Sequence, residues 1–203
     1  MSALTTGATG FFGEEHHYAR LAERVRAMPG RAAPVQVWSC ACSTGEEPYS
    51  AAMVLREAGC AGEILATDVN ATTLAAARRG IFALEAVARL GQERQRAHFF
   101  VRGEDAGATV ALVRTELRAM VRFEQRNLLD AEWTPAGRFD FVFCRNAMTD
   151  FDRVSRRRLL DRLAAVIAPG GMLFLGHAEA SALAHPAFVP CGKTAYLHCG
   201  SNP

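Results

Sequence analysis

The sequence predicts an α/β protein built on a doubly wound, mostly parallel sheet, with a small antiparallel β insertion. Three observations carry this. Short apolar runs alternate with amphipathic helical stretches from residue 35 to residue 177, the pattern of successive βαβ units. The runs VQVWSC (35–40), EILATD (63–68), FDFVFCRN (139–146) and MLFLGH (172–177) are apolar with little alternation, as strands covered on both faces are. Between them HFFVRG and ATVALVRTELRAMVRFEQRNL break the rhythm with β-rich segments, which places the insertion at about 96–122.

The elements follow in order. Residues 14–28 put Tyr18, Leu21, Val25 and Met28 on one helical face, with acidic residues first and arginines later, as the helix dipole favours. Pro34 precedes the first strand. The loop ACSTG leads into the helix EEPYSAAMVLREAG, closed by Gly59. NATTLAAARRG has Asn70 as N-cap and Gly80 as C-cap. Residues 81–95 read as helical or mixed. VSRRRLLDRLAAVIAPGG is an amphipathic helix with Val154, Leu159, Leu160, Leu163, Val166 and Ile167 inward, stopped by Pro169-Gly170-Gly171. FVP and TAYLHC form a terminal antiparallel pair. The 203 residues read as one domain, with an N-terminal segment and helix over 1–30.

Composition narrows the class. Half the residues are hydrophobic and 22% are charged, which suits a folded core. A net charge of +2 does not argue for a nucleic-acid partner. No apolar run approaches the roughly 18 residues of a spanning helix, and MSALTTGATGFFGEEHHY lacks the basic and apolar regions of a signal peptide. The six cysteines include no CxxC pair, so neither a zinc site nor a disulfide framework is expected. These features point to a cytoplasmic, monomeric protein. His16 and His17 are adjacent along a helix, so their rings are expected to diverge and to hold no metal.

In such sheets ligands bind outside the carboxyl ends of the strands. That singles out Ser39–Glu47, Asp68, Asn127 and Cys144–Asp152. The turn from Ser39 to Gly45 has only small side chains, so a ligand can approach its backbone closely. Its single glycine argues against a dinucleotide. Glu46 and Glu47 would repel a pyrophosphate and favour a ligand with a cationic end. Asp68 lies 23 residues beyond Gly45, where an acidic residue takes ribose hydroxyls, although acidic residues end many strands. Together these features suggest S-adenosylmethionine.

Longer strings are more specific. VWSCACSTGEEPYSAAMVL, LATDVNATTLAAARRGIF, FEQRNLL, FDFVFCRNAMTDFD and APGGMLFLGHAE, preceded by TTGATGFFGEEHHY, closely resemble the CheR family over nearly the whole chain. These are chemotaxis-receptor methyltransferases with a Rossmann-like fold. The resemblance implies methyl transfer from S-adenosyl-L-methionine to glutamate side chains of a chemoreceptor-like protein, leaving S-adenosyl-L-homocysteine. It also implies cofactor contacts from Thr9, Glu47, Asp68, Asn127, Leu128, Arg145 and Asn146. Arg145 is a positioning residue on this reading, and the reaction needs no dedicated catalytic base. The insertion corresponds to one with which some members dock a receptor tail.

The sequence departs from the family at Gly7, where an asparagine is usual, at Gly13, where an arginine follows the FF pair, and at Asp150, where a tyrosine is usual. The family's helical N-terminal domain does not precede the motifs here, so the chain reads as a short form or a fragment. These departures keep two alternatives open: a catalytically impaired cofactor-binding signalling module, and a methyltransferase with a different acceptor.

Overall fold

The computed structural model describes residues 10–28, 30–103, 109–130, 135–180 and 183–200. The apolar run at 35–40 becomes β1 (Val35–Cys40), the central strand. It pairs in parallel with β2 (Gly62–Asp68) on one side and β7 (Phe139–Cys144) on the other. Outside β2 lies β6 (Val121–Gln125), and outside β7 lies β8 (Ile167–Leu175), both parallel. β10 (Ala195–His198) adds antiparallel to β8, and β9 (Phe188–Pro190) antiparallel to β10. The order is therefore β6-β2-β1-β7-β8-β10-β9, and its direction of winding reverses at β1.

Helices cover both faces. α1 (Glu15–Arg26) and α2 (Glu46–Glu57) pack together over one face, where Tyr18, Leu21, Tyr49, Met53, Phe141, Phe143 and Phe174 form an apolar cluster. On the other face α7 (Arg153–Val166) buries Leu159, Leu160 and Leu163 against Trp38, Leu65, Val142 and Leu173. The two-residue period of β7 divides its side chains between these clusters. α3 (Ala71–Arg79) begins at Asn70, whose side chain accepts from the backbone N–H of Thr72 (2.9 Å) and Thr73 (3.3 Å), and ends at Gly80 with φ +62°. Both caps stand where the sequence puts them.

The small antiparallel sheet has the order β3-β5-β4, from β3 (Ile81–Ala83), β4 (Phe99–Gly103) and β5 (Thr109–Val113). It differs in extent from the expected 96–122. β3 lies in the stretch read as helical or mixed, and residues 121–125 belong to the large sheet. Three short helices link these pieces: α4 (Leu84–Val87), α5 (Gly91–His98) and α6 (Thr115–Arg118).

Three further differences concern the C-terminal half. Pro169-Gly170-Gly171 lies inside β8, which starts at Ile167 and carries a register irregularity against β7. Val154 is 59% exposed, because Asp152 caps the helix and turns the inward face toward Leu159, Leu160 and Leu163. His177 opens the short α8 (His177–Ala180) instead of ending a strand. No helix among the described residues is long and apolar enough to cross a membrane.

Candidate active site

The strand order reverses at β1, and in such sheets the ligand crevice lies at the carboxyl ends of the strands beside the reversal, here β1 and β7. The first loop lines it. Ala41, Ser43 and Gly45 all have positive φ, at +54°, +49° and +98°. Two of these are not glycines, and such backbone strain concentrates at functional sites. The loop is held in place by bonds to β2: the Cys42 N–H donates to the Thr67 carbonyl (2.9 Å) and the Ser43 N–H to Asp68 Oδ2 (2.8 Å). Asp68 Oδ1 accepts from the Asn70 N–H (2.9 Å). Asp68 thus ties both strand-to-helix turns, and a carboxylate retains acceptor capacity beyond two such bonds.

Glu47, in the first turn of α2, points back under β1. Its Oε1 accepts from Ser39 Oγ (2.7 Å), and its Oε2 from Arg145 Nη1 (3.0 Å). Burial pushes the Glu47 carboxyl up, against the opposing pull of Arg145 and Ser39. Burial would lower the Arg145 guanidinium, but Glu47, Tyr18 and Glu14 outweigh it and raise it. Arg145 therefore stays a cation in a nearly closed setting, with its side chain 14% exposed. It also reaches Glu14, its Nε lying 3.3 Å from Oε1.

Glu14 leads to a cluster that the sequence did not suggest. Thr194 Oγ1 lies 3.1 Å from Glu14 Oε2, 2.8 Å from His16 Nε2 and 2.6 Å from His17 Nε2. With Thr194 donating to the carboxylate, both ring N–H groups donate to the threonine oxygen, a tautomer assignment made from the network. The His16 and His17 rings converge, with centroids 4.3 Å apart, which corrects the expected divergence. Burial pushes His17 down to about 3, with the nearby charges of His16, Arg145 and His177 adding to the effect. Ligand atoms of Glu14, His16 and His17 lie within 4.8 Å of one another, a spacing that could hold a metal ion. The Thr194 hydroxyl bonds all three, and the Arg145 cation adjoins Glu14.

The remaining expected residues divide. Asn127 is exposed, and its Oδ1 accepts from the Leu129 N–H (3.0 Å), shaping the turn after β6. Leu128 is buried in the Trp38 cluster. Asn146 is exposed with φ +54°, immediately after Arg145. Thr9 and Gly7 lie outside the described residues. Gly13 faces Arg145: a Cβ added there would lie 3.2 Å from Nη2. Asp150 is exposed in the turn before α7. The residues that sequence reasoning missed are Glu14 and Thr194. A cavity of about 500 Å³ lined by Tyr49, Arg78, Arg118 and Phe123 is separate from all of these.

The residues present suit S-adenosylmethionine. Glu47 offers a buried carboxylate for an ammonium, Asp68 offers acceptors for a diol, and the small-residue loop lets a ligand meet the backbone. The class is that of S-adenosylmethionine-dependent methyltransferases, with which the fold is consistent and which the family match below shows. A solved structure of the citrinin polyketide synthase CMeT domain shares the fold, with a TM-score of 0.51 at 16% identity, over 79% of this chain and 33% of that one.

The chain belongs to the CheR methyltransferase family, matching the description "CheR methyltransferase, SAM binding domain" over residues 7–196. It is 41% identical over 200 residues to chemotaxis protein methyltransferase 2 of Pseudomonas aeruginosa, covering 97% of this chain and 71% of that protein. It is 38% identical to the chemotaxis protein methyltransferase of Escherichia coli, covering 97% and 68%.

Proposed function

We propose that this domain transfers the methyl group of S-adenosylmethionine to glutamate side chains of a chemoreceptor-like protein, in the cytoplasm, where its six free cysteines are stable. The single observation that carries the reading is the largely buried Arg145 cation, held between Glu14 and Glu47 with its Nη2 beside the exposed Gly13. The names of the relatives support the chemotaxis setting.

The cofactor supplies a methyl group activated on a sulfonium. An acceptor glutamate is already ionised near neutral pH, so no base has to remove a proton. The chain's own task is to bind and orient. Glu47 and Asp68 fix the cofactor's two polar ends, and Arg145 presents a cation to the incoming carboxylate. Holding the two reactants in line is worth up to about 7–11 kcal/mol in favourable cases. Tyr18 and Phe143, with ring centroids 5.5 Å apart, wall off water beneath Arg145 and strengthen these charges.

Calorimetric titration with S-adenosylhomocysteine tests the site. The expected result is micromolar binding by the wild-type chain and a loss of about tenfold or more in Asp68→Asn, since hydrogen bonds to charged groups are worth about 1.5–3 kcal/mol. Unchanged affinity in the variant removes Asp68 from the site. A second reading, an impaired cofactor-binding module, draws on Gly13 and Asp150. Base-labile methyl esters on a soluble chemoreceptor fragment decide between the two, because only an active glutamate methyltransferase forms them.

A further inference from the structure

We infer that Glu14 is a positioning residue, which fixes the guanidinium of Arg145 beside Gly13 so that its Nη2 edge meets the acceptor carboxylate. The inference rests on the methyltransferase reading above and deepens it.

An arginine fork is planar, so two anchors on different edges fix its orientation. Glu47 holds Nη1 at 3.0 Å, and Glu14 holds Nε at 3.3 Å. The third nitrogen, Nη2, has no hydrogen-bond partner among the described residues and lies 3.2 Å from the place a Gly13 Cβ would occupy. The anchored plane therefore leaves one donor edge unengaged beside Gly13, which is exposed. Without Glu14, the Nε edge would lose its anchor and the fork could swing about its bond to Glu47.

Glu14 is itself fixed for this task. It occupies the N-cap position of α1, yet its side chain makes no capping bond. Its carboxylate turns away from the helix, with one oxygen toward Arg145 and the other toward Thr194. Thr194 is 3% exposed and is bonded by His16 and His17 in turn. A carboxylate that only stabilised α1 would bond its own first-turn N–H groups. This one joins the start of β10 to the loop after β7.

Two measurements test the assignment. The first is the Arg145 Nε–H signal in nitrogen-15 spectra of the full chain, which reads the Glu14 bond whatever the acceptor. The wild-type proton is expected to exchange slowly with water, and Glu14→Gln is expected to speed that exchange about tenfold or more. An unprotected Nε–H in the wild type overturns the proposal. The second is a cycle of Glu14→Gln and Arg145→Ala, read as kcat/KM for a soluble chemoreceptor fragment. Glu14→Gln is expected to cost about tenfold alone but less than about twofold in the Arg145→Ala background, with S-adenosylhomocysteine affinity changed less than about twofold. Equal losses in both backgrounds, or a matching loss of homocysteine-product affinity, would show a merely structural role and overturn it. A protected Nε–H in a wild-type chain that methylates no receptor fragment leaves the positioning standing and sinks the glutamate-acceptor reading.

Discussion

His17 is wholly buried beneath the crevice, its ring 4.9 Å from that of Phe174 between centroids and its Nε2 bonded to Thr194. Its folded-state value of about 3 lies below the ordinary 6.5, so the folded chain binds fewer protons than the unfolded chain between those limits. The neutral ring's contribution is therefore complete above pH 6.5 and lost as pH falls toward 3, at no more than about 1.4 kcal/mol per pH unit. His17→Gln should flatten this acid limb when urea stability is measured from pH 7 to pH 4, and an unchanged slope would refute the assignment. Adjacent helical residues point about 100° apart, which is why the sequence implied diverging rings. The first turn of α1 lies beside β10, and one threonine 177 residues beyond His17 gathers both. Glu47 and Arg145 were legible from their motifs, but their mutual bond and the tie of Arg145 to Glu14 were not.

Whether a stretch turns or continues is decided by its neighbours. Pro169-Gly170-Gly171 has the local chemistry of a helix stop, and α7 does end just before it. The segment lies in the irregularity of β8 between Ile167 and Met172, which do pair with β7, and Gly171 packs against the backbone: a Cβ there would lie 2.8 Å from the Ala168 carbonyl oxygen and 2.9 Å from that of Asp140. Gly171→Ala should cost about 1–3 kcal/mol in urea denaturation, because neither carbonyl can move without breaking the sheet. Gly103→Ala, with nothing among the described residues within 4 Å of the new atom, should change stability by less than about 0.5 kcal/mol. Similar losses in both would show that the close approach at Gly171 does not matter. β3 escaped notice for a related reason: three residues are too few for a period, and only antiparallel pairing with β5 makes them a strand.

Across the whole molecule, the crevice draws on α1, β1, α2, β2, the loop after β7 and the start of β10, so a ligand there bridges both apolar clusters. Binding to the folded chain alone should stabilise it by about 2.7 kcal/mol at a hundredfold excess over Kd. S-adenosylhomocysteine should therefore raise the thermal midpoint of the wild type, and raise it less in Asp68→Asn at equal concentration. An equal shift in both would place the ligand elsewhere. The sequence alone determined the alternation of strands and helices, the caps at Asn70 and Gly80, and the polar residues at the strand ends, because these depend on local periodicity and backbone preference. Tertiary structure decided the pairing of those ends. Arg145 meets Glu47 across 98 positions, and Thr194 meets Glu14 across 180. Those distances close only through the order of strands in the sheet, which sets β1, β7, β8 and β10 side by side and brings their loops into one charged cluster.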